Sequence, residues 1–183
     1  DPALVPKEPL ASVNMYSGTG AQRLYEISIN YGMTGDELDA RTAQLQAIDA
    51  FAELDTSGMN EAELAYAACE YLMGHCAVSD DKSDNTAYAA LVGGRANSEG
   101  AALAYIVLCR ELGVDCRIVY GQEDWIEHCW NIVRIDGSYY HVDITAAIEN
   151  GAEAGFLMND EMAWGHYRWD VSSYPKCSGE LRC

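Results

Sequence analysis

Three side chains near the middle of the chain could together carry out nucleophilic chemistry: Ser98, His128 and Asp143. A hydroxyl attacks a carbonyl carbon only when a base takes its proton. An imidazole serves as that base when a carboxylate holds and orients it. Ser98 opens a run to Leu112 that is apolar on most faces (Ala101, Ala102, Leu103, Tyr105, Ile106, Val107, Leu108). Such a run predicts a helix buried nearly all round, with Gly113 at its stop. The first turn of a helix offers unpaired N–H groups and the positive end of the dipole. Both stabilise negative charge on a nucleophile or an oxyanion. Gly93-Gly94 and Gly100 allow close backbone approach. The plainer reading of Asn97 and Ser98 is as helix caps, and this pattern alone favours it.

The base and its partner follow on two strand-like runs, His128 to Ile135 and Ser138 to Ile144. Asp136-Gly137 between them is a two-residue hairpin signal. Such a loop sets Ile135 opposite Ser138. Counting back, Trp130 faces Asp143, and His128 lies on the diagonal, on the same face. A diagonal gap of about 7 Å is within reach of these side chains. Cys129 points to the other face and is a poor replacement nucleophile. Cys109 lies about 16 Å down the helix from Ser98 and is excluded. His141 shares the face of Asp143 and competes for the acid–base role, although a strand histidine tied to a neighbour is the simpler reading.

These residues need a scaffold. Thr34-Gly35-Asp36-Glu37 and Asn60-Glu61-Ala62-Glu63 are capping boxes. They open two amphipathic helices. The first runs towards Asp55; the second ends around Gly74 and buries Leu64, Ala67, Ala68, Tyr71 and Leu72. Both read as packing elements. Residues 75–85 form a polar loop without the spacing of a calcium loop. Thr86 to Leu91 is a short helical turn, and Cys116 to Tyr120 a further strand. Residues 1–20 read as a linker or extended arm, and 21–183 as one domain. That domain has a helical N-terminal part (34–75), a core motif region (86–146) and a C-terminal segment (147–183) wrapping the sheet. Gln22 to Asn30 fits either a short helix or a strand.

The chain has 183 residues, 49% hydrophobic, and a formal charge of -18. That is enough apolar material for a core. The acidity argues against a nucleic-acid or anionic-membrane partner. No apolar run reaches the roughly 20 residues of a membrane span. Seven cysteines suggest an oxidising compartment. Nearest-neighbour pairing would join Cys69 with Cys76, Cys109 with Cys116 and Cys177 with Cys183, leaving Cys129. Cys69 and Cys76 cannot bridge within one continuous helix, and buried free thiols are the alternative for all seven. Zinc spacing is absent, and neither a metal nor a cofactor is expected. The chain opens at Asp1-Pro2, so a secretion signal would lie ahead of residue 1; the expected location is extracellular or at the cell surface. Oligomeric state is left open.

The motif blocks resemble the transglutaminase-like superfamily, particularly its bacterial domains. Those domains show a Gly-rich approach, Cys-Glu-Gly-Tyr-Ala opening a helix, Gly-Ile after it, a His-Ala-Trp-Asn strand and a Trp-Tyr-His-Val-Asp-Val-Thr strand. This chain has Ser98-Glu99-Gly100-Ala101-Ala102, Gly113-Val114, His128-Cys129-Trp130-Asn131 and Tyr139-Tyr140-His141-Val142-Asp143-Ile144-Thr145. The match covers roughly residues 64 to 146, with a looser echo to Tyr174-Pro175. It implies an α+β papain-like fold, with helices packed on a small antiparallel sheet. It also implies a catalytic triad with Ser98 at the nucleophile position, His128 as base and Asp143 as its orienter. The implied activity is hydrolysis or acyl transfer on amide bonds of protein or cell-wall peptide substrates. The departure is at the nucleophile, where the family has cysteine. An alcohol cannot rest as an ion pair with imidazolium, so His128 would take its proton during attack. The intact surroundings of Ser98 read as a natural serine variant. The alternative is an inactive domain that keeps the cleft to bind a peptide or protein at the cell surface.

Overall fold

The computed structural model describes residues 10–18, 23–30, 33–46, 48, 50–51 and 54–183. The centre is a four-stranded antiparallel sheet in the order β7-β6-β5-β8. Its strands are β5 (Asp115–Glu123), β6 (Ile126–Ile135), β7 (Ser138–Val142) and β8 (Tyr167–Arg168). Helix α4 (Ser98–Glu111) covers one face. The C-terminal segment covers the other, so the sheet separates two apolar clusters. This is the expected α+β, papain-like arrangement, with the candidate nucleophile at the first position of a buried helix.

Of the elements ahead of α4, the second and third helices pack against it, while the first two strands stand exposed. β1 (Leu10–Ser17) and β2 (Arg23–Asn30) pair antiparallel, Leu10 opposite Asn30 and Ser17 opposite Arg23. Residues 23–30 are therefore strand, and 10–17 of the arm are strand as well. α1 (Gly35–Gln46) carries the Thr34 box, Thr34 N–H bonding Glu37 at 2.8 Å. It stops earlier than expected and buries no residue fully. α2 (Glu61–His75) has its Asn60 capping box in full. Its buried stripe is Ala65, Ala68, Cys69 and Leu72. Leu64, Ala67 and Tyr71 are only partly covered, since the helix turns its Ala65 side to α4, where the Ala65 carbonyl accepts the Tyr105 hydroxyl at 3.0 Å. Cys69 and Cys76 therefore sit on one helix and its cap, and all seven cysteines are free thiols. Burial pushes the thiols of Cys69 and Cys76 up to about 12 and about 11.

Between α2 and α4 the polar loop is pinned by a short parallel pair, β3 (Ala77–Val78) with β4 (Arg95–Ala96), and by α3 (Ala87–Leu91). β6 and β7 meet in the expected register, Ile135 opposite Ser138, through a turn with φ of 49° at Asp136 and 81° at Gly137. A second two-residue turn, Asp124-Trp125, joins β5 to β6 and escaped the sequence reading. Both of its residues have positive φ, 45° and 75°, without the Gly that normally marks such a turn. β7 is shorter than its strand-like run. It ends at Val142 because Asp143 turns to cap α5 (Ile144–Asn150), accepting the Ala146 N–H at 3.1 Å. α6 (Ala152–Gly155) packs beside α5 on the α2 side, and α7 (Asp160–Ala163) and β8 then carry the chain across the second face. None of the described helices is long and apolar enough to cross a membrane.

Candidate active site

The side chains of β6 alternate between the two faces. Asn131, Val133 and Ile135 face α4, and Asn131 Nδ2 donates to the Ala102 carbonyl at 3.0 Å. His128, Trp130 and Ile132 fall on the opposite face, under the C-terminal segment. Cys129 lies between His128 and Trp130 on the α4 side, as its position in the strand predicts.

His128 and Asp143 come together across the hairpin as the register requires, with Nε2 and Oδ2 at 2.6 Å. Asp143 has no exposed surface and is bonded throughout. Its Oδ1 accepts the Thr145 hydroxyl at 2.7 Å and the Ala146 amide at 3.1 Å. Its Oδ2 accepts His128 and the Tyr167 hydroxyl, the latter at 2.9 Å. Burial raises the Asp143 carboxyl, but the hydrogen bond and charge of His128, with Thr145 and Ala146, hold it below the ordinary aspartate range. Burial lowers His128. The hydrogen bond and charge of Asp143, backed by Glu123 and Glu149, outweigh this and raise it above the ordinary histidine value. Both shifts favour an imidazolium–carboxylate pair.

Ser98 reaches the same end of β6 from the helix. Asn97 is the N-cap of α4, its side chain accepting the Gly100 N–H at 3.1 Å. The hydroxyl of Ser98 then lies 3.3 Å from the backbone N of Cys129 and accepts its hydrogen. The sheet explains why that hydrogen is available. β7 stops at Val142, opposite Asn131, so β6 runs on past its neighbour. On the other side Tyr120 pairs with Cys129, and the Tyr120 N–H turns away to the Tyr174 hydroxyl at 3.2 Å. The Cys129 N–H thus points to the open edge, and Ser98 Oγ satisfies it. Among the described residues this is the hydrogen bond of the Ser98 hydroxyl. Nε2 of His128 is engaged by Asp143, which leaves Nδ1 as its other ring nitrogen.

The sequence reading missed Tyr167 and Glu123. Tyr167 donates to Asp143, and the Glu123 carboxylate stands 3.6 Å from His128 Nε2. Burial, then the charges of Asp143 and Glu123, push the Tyr167 phenol far up, so it stays an O–H donor. No spacing rule links Tyr167 to Asp143; the pairing of Glu123 with Tyr167 brings it in. Glu123, His128 and Asp143 offer three ligand atoms within 4.8 Å of one another, a set that could take a cation only in competition with these bonds. His141 is elsewhere, fully buried between Trp130 and Asp160. Cys109 is buried in the α4 core.

The superfamily profile described as transglutaminase-like matches residues 49–144. No curated protein matches the chain in sequence. Among solved structures, a transglutaminase is similar at 12% identity and a TM-score of 0.47 over 75% of this chain and 44% of its own. A candidate cysteine protease from Cytophaga hutchinsonii is similar at 13% identity and a TM-score of 0.48, over 85% of this chain and 66% of its own. Menin is similar at 21% identity and a TM-score of 0.42, over 62% of this chain and 26% of its own. The chain thus spans less than half the length of that transglutaminase. The profile match takes in more than half of the chain, including the start of α4, the β6–β7 hairpin and Asp143. On that match the chain belongs to the transglutaminase-like superfamily.

Proposed function

We propose that this domain cleaves or transfers amide-linked acyl groups of protein or cell-wall peptides, with Ser98 as nucleophile. The observation that carries the reading is the 2.6 Å His128–Asp143 pair at the same strand end as the Ser98 hydroxyl. In this reading Ser98 Oγ bonds to the substrate carbonyl carbon while its proton passes to Nδ1 of His128. Asp143 keeps the ring in place and stabilises the imidazolium. Backbone N–H groups at the start of α4 hold the oxyanion. The intermediate collapses as His128 returns the proton to the leaving amine, which departs and leaves an ester on Ser98. Water or a second amine then attacks the ester, giving hydrolysis or transfer.

A fluorophosphonate tests the nucleophile directly. The parent protein is expected to be labelled at Ser98 and Ser98→Ala to stay unlabelled. A second reading, a peptide-binding domain without turnover, is favoured by one observation: Ser98 already has a structural task, closing the open Cys129 amide. A parent that resists the reagent, beside a Ser98→Cys variant that gains thiol reactivity, would decide for that second reading.

A further inference from the structure

Behind His128, on the same face, lies a buried polar chain that the proposed reaction does not use. The Trp130 Nε1–H donates to His141 Nδ1 at 3.0 Å. His141 Nε2 bonds Asp160 Oδ1 at 3.0 Å, and that oxygen also accepts the Cys177 N–H at 3.2 Å. Trp130 and His141 have no exposed surface. Donor arithmetic leaves one arrangement. An indole can only donate, so His141 Nδ1 must carry a lone pair. The neutral ring then has its proton on Nε2, and that proton goes to Asp160.

This arrangement answers a competing possibility. His141, Asp160 and Cys177 offer ligand atoms within 4.8 Å of one another, as a metal site would. A metal at Nε2 would force the ring proton onto Nδ1, against the indole N–H. Trp130 therefore disfavours a cation here, and the cluster reads as a hydrogen-bonded strut.

The strut fixes Trp130 at both ends. Its pyrrole edge is tied to His141. Its six-membered ring lies against Gly121 of β5, where an added Cβ would stand 2.6 Å from Cη2 and would also collide with the Arg168 carbonyl. Both groups that bond Asp143 Oδ2 lie beside this ring. His128 lies at 6.2 Å between centroids with planes 23° apart, and Tyr167 at 5.2 Å. We propose that His141 is a positioning residue: through Trp130 it fixes the ring of His128 against Asp143. Its relevance to catalysis rests on the reading of His128 as the base; the positioning itself does not.

The test is the titration of the His128 ring, followed by NMR in the full chain carrying Ser98→Ala. The groups that face this ring are Asp143, Glu123, Tyr167 and Trp130, with the Glu149 carboxylate acting on it as a further charge. In His141→Phe the indole loses its acceptor and the ring can tilt. The His128 midpoint is expected to move down towards the ordinary histidine range as its contact with Asp143 loosens. His141→Gln, which restores an acceptor, is expected to bring it back up. Should His141→Phe not fold, Asp160→Ala removes the outer link at a partly exposed position and is expected to move the midpoint in the same direction by less. A midpoint that stays put while the Trp130 N–H resonance loses its protection overturns the proposal. Failure of Ser98 to take a fluorophosphonate would end the enzymatic reading and leave this result standing.

Discussion

The Ser98 hydroxyl accepts the Cys129 amide hydrogen at 3.3 Å, and so couples the start of α4 to the part of β6 that runs past β7. A strand that outruns its neighbour leaves an N–H in need of an acceptor. Here the acceptor is the atom at the nucleophile position. An amide that bonds a neutral hydroxyl bonds an anion at the same place more strongly.

Ser98→Cys is therefore expected to carry a thiol that ionises more readily than the ordinary value of about 8.5, through the helix start, the Cys129 N–H and His128. Mass-mapped alkylation at pH 7 should modify residue 98 at least about tenfold faster than the exposed Cys183. Equal rates at the two positions would contradict this. Cys69 and Cys76, pushed up to about 12 and about 11, should react only after unfolding.

The His128–Asp143 pair sets a pH window for stability. His128 is raised from 6.5, so its contribution is complete below that value and is lost as pH rises through the folded pKa. Asp143 is lowered from 3.8, so its contribution is complete above that value and is lost as pH falls through the folded pKa. The stability lost in Asp143→Asn should be largest between these two values and shrink on both sides. Melting temperatures across pH 3–9, parent against variant, read this directly; a flat difference would contradict it.

The same shift governs the proposed chemistry. A serine nucleophile needs neutral His128, and His128 is held protonated above its usual range. Fluorophosphonate labelling of Ser98 should climb with pH and level off only above the ordinary histidine range. A rate that is flat from pH 5 to 9 would remove His128 as the base.

Tyr167→Phe deletes one donor to a buried carboxylate and leaves Asp143 its bonds to His128, Thr145 and Ala146. A hydrogen bond to a charged group contributes about 1.5–3 kcal/mol. Urea unfolding should show a loss of that size. The labelling profile should change too, because His128 and Tyr167 share one oxygen.

Gly100→Ala sets helix propensity against packing. Alanine is favoured over glycine in a helix by about 1 kcal/mol. An added Cβ here would meet the Asp84 carbonyl, which accepts the Asn97 N–H at 2.9 Å. Overpacking of this kind costs about 1–3 kcal/mol, so the variant should be less stable than the parent and should weaken the Asn97 cap. A more stable Gly100→Ala protein in thermal unfolding would show that the contact gives way.

The sequence by itself determined the local geometry of this site. Asp136-Gly137 set the register of β6 and β7, and the two-residue period of a strand put His128 on the face of Asp143 and Cys129 on the other. Asn97 and the apolar run after it set the start of α4. These are rules acting over a few residues, so they are legible in a string. Only the tertiary structure decided that β7 stops one residue before Asp143, that Ser98 closes the exposed Cys129 amide, and that Tyr167 from β8 supports the carboxylate. It also decided that His141 is locked behind Trp130. The Ser98–Cys129 and Tyr167–Asp143 contacts join separate elements through a sheet edge and a strand pairing. The end of β7 and the lock on His141 depend on which neighbours the folded sheet supplies, so none of this geometry exists until the sheet has formed.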